Sequence, residues 1–202
     1  MRTKLFFAAA LAFSVPAIAQ APTLGTSDPS KVVAGNYEVE PLHTQIAWTV
    51  NHLGVSLFSG MFSQASGTLT LNPKKIATAK VSISVPVASV QTTSDKLTGE
   101  LKSEGWFDAA KYPTMTFVST KVVPTSATTA DIIGNLTLHG VTKPVTIEAV
   151  FTGVGSSKSE KVNIGFTGSA DIKRSDFGFS TAVPLISDAV HLSIAADFQA
   201  VG

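Results

Sequence analysis

The sequence predicts an all-β fold, because apolar residues recur at every second position along most of the chain after residue 34. Side chains on a strand point alternately to its two faces, so this alternation is typical of strands with one buried and one solvated face. The clearest runs are Ile46, Trp48 and Val50; Val81, Ile83, Val85 and Val87; Val162, Ile164 and Phe166; and Val190, Leu192, Ile194, Ala196 and Phe198. Such strands bury their apolar faces against each other, which predicts a sandwich or a closed barrel.

Turn residues divide the alternating runs into about eight strands with short connections. Pro41 interrupts the first strand, and Gly60 and Gly67 mark bends in the second. Gly140 and Pro144 flank a tight turn later in the chain. The predicted strands cover residues 36–40 with 44–52, 57–71, 79–87, 114–123, 130–139, 145–153, 160–172 and 189–199. Short connections imply antiparallel neighbours, and eight up-and-down strands close into a barrel that is wide enough for one elongated ligand.

One segment breaks the alternation and predicts a short helix over residues 94–104. Ser94 is a favourable N-cap, and Leu97 and Leu101 lie four residues apart on one helix face. Gly105 ends the helix. The predicted fold class is therefore an all-β, eight-stranded antiparallel up-and-down barrel, with one short helix that caps an end.

The first nineteen residues have the pattern of a secretory signal peptide. Two basic residues precede an apolar stretch over residues 5–15, and residues 17–19 (AIA) supply a small-residue cleavage pattern. Residues 20–34 are rich in proline, serine and small residues, which predicts a flexible leader. We therefore expect residues 1–19 to direct export and residues 35–202 to form one domain with its own core.

Composition and motifs argue against several functional classes. Without the signal peptide, thirteen basic residues stand against fourteen acidic ones, so we expect no nucleic-acid partner. The four histidines lack the close spacing of metal ligands and the chain has no cysteine, so we expect no metal site. A Gly-x-Ser-x-Gly nucleophile motif and a glycine-rich phosphate loop are both absent from the sequence. We therefore expect a protein that is not an enzyme and that needs no cofactor.

Aromatic side chains are spread over most predicted strands and favour an apolar interior. Such an interior suits a long apolar molecule, because each buried CH₂ contributes about 0.8 kcal/mol. From their alternation and size, the predicted lining residues are Trp48, Phe62, Leu101, Phe107, Phe117, Phe166 and Phe198. His52, Arg174 and Asp176 are predicted to lie near an opening or to fix the adjoining loop. An alternative for Arg174 and Asp176 is a local ion pair that holds Phe177 in place.

A series of motifs, taken in order along the chain, resembles the YceI family. The motifs are residues 37–39 (YEV) with 41–43 (PLH), 50–54 (VNHLG), 60–62 (GMF) with 66–69 (SGTL), 107–108 (FD) with 111–117 (KYPTMTF), 134–145 (GNLTLHGVTKPV) and 173–178 (KRSDFG). The resemblance covers residues 37–200, and its specificity comes from the number and order of the motifs.

The resemblance implies a lipocalin-like barrel that holds a long isoprenoid lipid, such as a quinone or a polyprenyl phosphate or pyrophosphate. It also implies a periplasmic location and, in many members, a dimer. Many members carry arginine and histidine before the Phe-Asp motif, whereas residues 94–102 here read SDKLTGELK. Lys96, Lys102 and Arg174 remain as cations, and the smaller number of cationic donors makes a neutral head such as a quinone relatively more favourable.

The leading hypothesis is a periplasmic binding or carrier protein that sequesters an isoprenoid lipid. For such a carrier we expect transient proximity to a membrane, assembly as a homodimer in line with the family, and a lid formed by the helix and residues 175–184. The alternatives are an enzyme that acts on a small apolar substrate inside the barrel, and a stress-related structural protein whose core is filled by its own side chains.

Overall fold

Eleven β-strands and one α-helix run through the described residues, which are 25–156 and 161–201 of a computed structural model. The strands are β1 (Gly25–Thr26), β2 (Gly35–Val39), β3 (Gln45–His52), β4 (Ser56–Phe62), β5 (Ser66–Leu71), β6 (Lys80–Pro86), β7 (Thr114–Pro124), β8 (Thr129–Leu138), β9 (Val141–Ser156), β10 (Val162–Lys173) and β11 (Ala189–Ala200), and the helix is α1 (Asp95–Leu101). The predicted signal peptide, residues 1–19, lies outside the described residues.

The strands form a closed barrel with eight positions around its circumference. Each position, which we call a stave, is filled by one strand or by two consecutive strands. In the first stave β2 continues into β3, in the second β4 continues into β5, and β6 to β11 supply one stave each. Every stave is antiparallel to the next. The ring closes where β11 pairs with both β2 and β3, for example Phe198 opposite Val39 and Leu192 opposite Trp48. The predicted eight-stranded antiparallel up-and-down barrel is confirmed.

The second stave breaks at residues 63–65, between Gly60 and Gly67, and the strand pairing runs through both glycines without a register shift. Gln64 takes a positive φ of 58°, which turns the chain between β4 and β5. The adjacent Ala65 is 1% exposed and anchors the break in the core. The two halves of the stave can therefore follow β3 and β2 separately.

The turn between β8 and β9 is shorter than the sequence predicts. His139 and Gly140 both have positive φ, at 53° and 75°, and together they complete a two-residue hairpin turn. Strand β9 therefore begins at Val141, and Pro144 lies inside it opposite Asn135 rather than at the end of the turn.

The described part of the leader packs on the barrel wall. Strand β1 pairs with β9, with Gly25 opposite Gly155, and a short 3₁₀ helix follows at Pro29–Lys31. Val32 is 7% exposed and joins the hydrophobic core. From residue 25 onward, this segment is therefore attached to the domain.

Helix α1 lies where the barrel wall is incomplete. Strand β6 ends at Pro86, and beyond it β4 gains one bridge, between Met61 and Gln91. The Ser94 hydroxyl accepts a hydrogen bond from the Leu97 N–H at 3.4 Å, so the predicted N-cap is present. The helix therefore begins beside the gap that is left where β6 ends.

The barrel interior divides into two halves along the staves. The closed half is built on β2, β5 and the C-terminal part of β11, and its Tyr37 and Ile164 are 2% and 0% exposed. Phe166 packs edge-to-face against Phe151 and Phe198, with ring centroids 5.8 and 6.1 Å apart. The cavity half is built on β3, β4 and the N-terminal part of β11.

Candidate ligand-binding cavity

A cavity of about 350 Å³ occupies the cavity half of the barrel. Its walls come from inward-facing positions of the strands, where alternation places apolar side chains. These residues include Ile46, Trp48, Val50, Phe58, Met115, Phe117, Leu136, Val145, Ile147, Ile172, Leu192 and Ile194. The cavity volume lies within the range of small-molecule sites, about 300–1,000 Å³.

Two glycines, each on the strand next to that of a large ring, let the ring lie against the cavity wall. A Cβ atom at Gly60 would overlap the Trp48 ring, and one at Gly134 would overlap the Phe117 ring. The absence of a side chain at both positions therefore seats these rings on the wall instead of across the interior. This arrangement leaves the centre of the cavity half free.

Aromatic rings form one side of the cavity below the helix. Phe107 contacts Phe62 and Phe179, with ring centroids 5.2 and 5.4 Å apart. Trp48 packs edge-to-face on Phe58 at 5.8 Å. All five rings line the cavity and present apolar surface to anything inside.

The mouth of the cavity lies between the β3–β4 turn, helix α1 and the loop over residues 178–187. Polar lining is sparse and comes from His52, Ser56, Glu100, Thr116 and Arg174. His52 forms an isolated β-bridge with Ile186, which joins the β3–β4 turn to the loop. His52 and Glu100 are both exposed, so the polar lining is partly open to water.

Arg174 fastens the loop at the mouth. Its side chain is 3% exposed, and its Nε, Nη1 and Nη2 donate to the carbonyls of Ser187, Thr181 and Ile186 at 2.9, 2.7 and 2.8 Å. The guanidinium also lies 5.9 Å from the centre of the Trp106 ring. Burial lowers the pKa of Arg174, and the nearby Asp188 carboxylate opposes this shift.

Asp188 holds the other side of the same loop. Its carboxylate accepts hydrogen bonds from the Ser175 hydroxyl at 2.7 Å and from the Ser175 N–H at 2.8 Å. These bonds, together with the charge of Arg174, keep the pKa of Asp188 below its ordinary value. The loop is therefore attached at both ends to the 3₁₀ helix Arg174–Phe177.

Seven of the ten predicted site residues line this cavity. They are Trp48, His52, Phe62, Leu101, Phe107, Phe117 and Arg174. Their participation in ligand binding stays a prediction. The distribution agrees with the alternation argument for β3, β4 and β7, since successive inward positions of these strands reach the cavity.

Phe166 and Phe198 do not line the cavity, so their predicted lining positions are corrected. Both belong to the closed half, where their rings pack on each other from the adjacent strands β10 and β11 within the core. The alternation correctly predicted that both side chains face inward, but it carries no information on how deep along the barrel they lie.

Asp176 also lies away from the cavity lining, and it is exposed on the 3₁₀ helix. The alternative of an ion pair between Arg174 and Asp176 is wrong, because the Arg174 guanidinium donates to loop carbonyls. Phe177 is 1% exposed and is held by packing in the core.

Several lining residues are absent from the sequence prediction. Trp106 follows the helix and Phe179 lies in the loop, both in aperiodic segments where alternation gives no direction. The position of Glu100 could be predicted from the sequence, because it lies on the same helix face as Leu97 and Leu101. All three residues line the cavity.

One group of potential metal ligands lies on the outside of the barrel, at the break between β2 and β3. Ligand atoms of Glu40, His43 and Asp197 come within 4.8 Å of one another. Glu40 accepts from His43 Nδ1 at 2.6 Å and from the N–H groups of His43 and Leu42. Burial raises the pKa of Glu40, but the bonds from His43 and Leu42 outweigh it and hold the pKa below its ordinary value. These contacts explain Glu40 and His43 as a cap of the turn, whereas the Asp197 carboxylate accepts from the Asn163 amide at 3.0 Å.

No helix in residues 25–156 and 161–201 is long and apolar enough to cross a membrane. The longest helix there is α1, with seven residues.

Comparison with known proteins agrees with the motif resemblance. The chain matches the YceI-like domain over residues 37–198. A UPF0312 protein of Vibrio parahaemolyticus is 37% identical over 161 residues, which cover 80% of this chain and 83% of that protein.

Solved structures share the fold. Burkholderia cenocepacia BcnA superposes with a TM-score of 0.71 at 24% identity, covering 79% of this chain and 98% of that chain. A Campylobacter jejuni YceI protein gives 0.67 at 31% identity, covering 75% and 90%. A polyisoprenoid binding domain from Saccharophagus degradans, implicated in plant cell wall breakdown, gives 0.60 at 14% identity, covering 84% and 100%. The sequence match and the shared barrel lead to one conclusion: the chain belongs to the YceI family.

Proposed function

We propose that this protein is a periplasmic carrier that sequesters an isoprenoid lipid in the cavity half of its barrel. The observation that carries the proposal is the cavity of about 350 Å³ with apolar strand residues on its walls. A tail placed there is stabilised by burial alone, at about 0.8 kcal/mol for each CH₂. The polyisoprenoid-binding domain of Saccharophagus degradans, which has the same fold, supports this ligand class.

The charges at the mouth favour a neutral head over a pyrophosphate. Among the described lining residues, the charged side chains are Arg174 and Glu100, one of each sign. Three of the five N–H groups of Arg174 already donate to loop carbonyls. Few donors remain for a multiply charged phosphate group, so a quinone is the favoured head within the isoprenoid class.

The size of the cavity bears on how a long tail would fit. About 350 Å³ is near the lower end of the range for ligand sites, so it accommodates part of a long isoprenoid chain. We expect the remainder to leave through the mouth, or helix α1 and residues 175–184 to move outward as a lid.

A catalytic role has less support than a carrier role. The titratable side chains in the lining are His52, Glu100 and Arg174. The first two are exposed at the mouth, whereas an acid or base working on an enclosed apolar substrate would lie within the cavity. A core filled by its own side chains also has less support, since the cavity half contains free space.

The experiment that tests the carrier proposal is native mass spectrometry of protein isolated from the periplasmic fraction, followed by organic extraction. We expect a co-purifying lipid of isoprenoid mass, and a higher affinity for added quinone than for polyprenyl pyrophosphate. Protein that is recovered empty, and that then binds neither quinone nor polyprenyl phosphate, would contradict the proposal.

A further inference from the structure

An exposed apolar surface surrounds the mouth of the cavity, and we call it the apolar lip. It consists of Leu53, Val55, Leu57, Leu97, Val183 and Leu185, whose exposed fractions are 54%, 84%, 73%, 37%, 40% and 60%. The Leu53 N–H donates to the Leu185 carbonyl at 2.7 Å, which joins the turn to the loop. Leu57 and Leu97 also line the cavity, so the apolar surface continues from the cavity wall to the outside.

The two loops of the lip contain no charged side chain. Residues 53–57 read LGVSL and residues 178–187 read GFSTAVPLIS. Transferring such segments from water to an apolar medium carries no cost of desolvating an ion. Single exposed apolar residues are ordinary on protein surfaces, but a contiguous patch at a cavity mouth marks an interaction site.

Backbone N–H groups of the lip are already bonded within the protein. Gly54 N–H donates to Asn51 Oδ1 at 2.7 Å, and Val55 N–H donates to the His52 carbonyl at 3.0 Å. In the loop, the Val183 N–H donates to the Ser180 carbonyl at 3.0 Å, and the Ile186 N–H donates to the Ala182 carbonyl at 2.9 Å. Unsatisfied backbone groups are the main cost of placing loops in lipid, and these bonds reduce that cost.

We propose that the apolar lip docks on a lipid bilayer surface, so that the cavity opens directly into the acyl region. This inference rests on the proposed carrier function, because an isoprenoid tail that moved through water between bilayer and cavity would expose all its CH₂ groups. A lip that is continuous with the cavity wall gives the tail an apolar path. The lip residues enter the interface and the loop bonds stay intact.

Vesicle flotation tests the inference, with phosphatidylethanolamine and phosphatidylglycerol vesicles and the full exported chain. The variant is Val55→Asp with Leu185→Asp, because both residues are highly exposed and neither lines the cavity. The control is Leu42→Asp, whose side chain is 85% exposed in the turn between β2 and β3, away from the lip. We expect the wild type and the control to float, and the lip variant to bind vesicles on the order of tenfold more weakly or worse.

Quinone binding in vesicle-free buffer separates this inference from the carrier proposal. The lip variant should bind a short-chain quinone as the wild type does, and should transfer it to vesicles more slowly. If the wild type binds quinone but floats no better than the lip variant, the docking inference is wrong. The inference is also wrong if the lip variant changes the oligomeric state in sedimentation without changing flotation, because the lip would then be a contact between copies. If the wild type binds no quinone or other isoprenoid, the carrier proposal fails, and with it the inference that rests on it.

Discussion

The closed half and the cavity half of the barrel are built from the same kind of alternating strand, but the interior of the first is filled and that of the second contains a cavity. In the closed half, Phe151, Phe166 and Phe198 lie on the adjacent strands β9, β10 and β11 and pack edge-to-face on one another. In the cavity half, Trp48 and Phe117 lie against the wall over glycines of the next strand. Aromatic residues therefore fill one half and line the other.

The difference shows that the residue on the adjacent strand affects how a ring packs. In the closed half, Phe166 lies opposite Phe151 and Ala196 rather than a glycine, and its ring packs on the neighbouring rings. In the cavity half, a glycine beside the ring leaves room for the ring to lie against the wall, so the centre of the barrel stays free. Glycines beside large rings across a strand pair therefore help to keep this cavity open.

Truncating one phenylalanine in each half should test this contrast most strongly. Phe198 and Phe117 are similarly buried, at 5% and 7% exposed. Phe198→Ala should lower the free energy of unfolding by about 3–5 kcal/mol, because it opens a cavity in packed core. Phe117→Ala should cost less, since one face of its ring already adjoins the cavity, but it should weaken lipid binding.

Urea denaturation of both variants, with the lipid removed, measures the two losses. Equal losses would mean that the cavity half is as tightly packed as the closed half. Phe117→Arg adds a sharper test of the lining, because it places a charge in the apolar cavity. A folded Phe117→Arg protein with unchanged lipid binding would remove this residue from the lining.

The contrast also explains how much could be predicted from sequence. Alternation predicted the strands and their inward faces, because the period of two follows from backbone geometry alone. It could not predict that Phe166 and Phe198 fill the closed half, because depth along a stave depends on register with strands far away in sequence. The motif order predicted the family, and the helix cap at Ser94 was readable from local chemistry.

The role of Arg174 could be predicted only in part. Its position in an aperiodic, motif-bearing segment indicated a polar group near the loop, but its acceptors are backbone carbonyls, which leave no sequence signal. The contacts of Gly60 and Gly134 with the Trp48 and Phe117 rings could not be predicted from sequence either. A glycine that seats a ring is indistinguishable from a bend glycine until the strand pairing is known.

Arg174→Lys should loosen the mouth while leaving the closed half unchanged. A lysine cannot donate to the three carbonyls of Thr181, Ile186 and Ser187 with the planar geometry of a guanidinium. We expect the free energy of unfolding to fall by about 2–3 kcal/mol, because carbonyls at a buried site lose their donors. Hydrogen exchange should quicken over residues 178–187.

The matched control is Lys173→Met, at the exposed neighbouring position, which should change stability by less than about 0.5 kcal/mol. Exchange in β2 and β5 should stay as slow as in the wild type. Faster exchange throughout the barrel in Arg174→Lys would mean that the two halves do not open independently.

A larger side chain inside the cavity should make the interior of the cavity half resemble the filled interior of the closed half. Ile147 lines the cavity from β9, so Ile147→Trp should occupy space that the lipid needs. Displacing about three CH₂ groups of ligand should weaken binding roughly a hundredfold, while stability stays near that of the wild type. The control Glu148→Trp places the same ring on the exposed outer face of the same strand. Equal affinities of the two variants in a quinone titration would show that the lipid lies elsewhere.

The smallest expected effect is an acid-dependent loosening at the mouth that the closed half lacks. The Ser175 hydroxyl and N–H hold the pKa of Asp188 below its ordinary value. A lowered folded-state pKa means that this carboxylate stabilises the fold above the unfolded value, about 3.9, and that the contribution is lost as the pH falls through the lower folded-state pKa. Asp188→Asn should therefore melt below the wild type at pH 7, by a few degrees at most.

The melting difference between wild type and Asp188→Asn should shrink as the pH falls below about 3.9, because the wild type then loses the same charge. Glu40 at the β2–β3 turn also has a lowered pKa, but it acts equally on both proteins and cancels in the difference. Asp176→Asn is the control, since its carboxylate is exposed on the same 3₁₀ helix. A difference that stayed constant down to pH 3 would assign the loss to altered packing rather than to charge, and the mouth would then be no more acid-sensitive than the closed half.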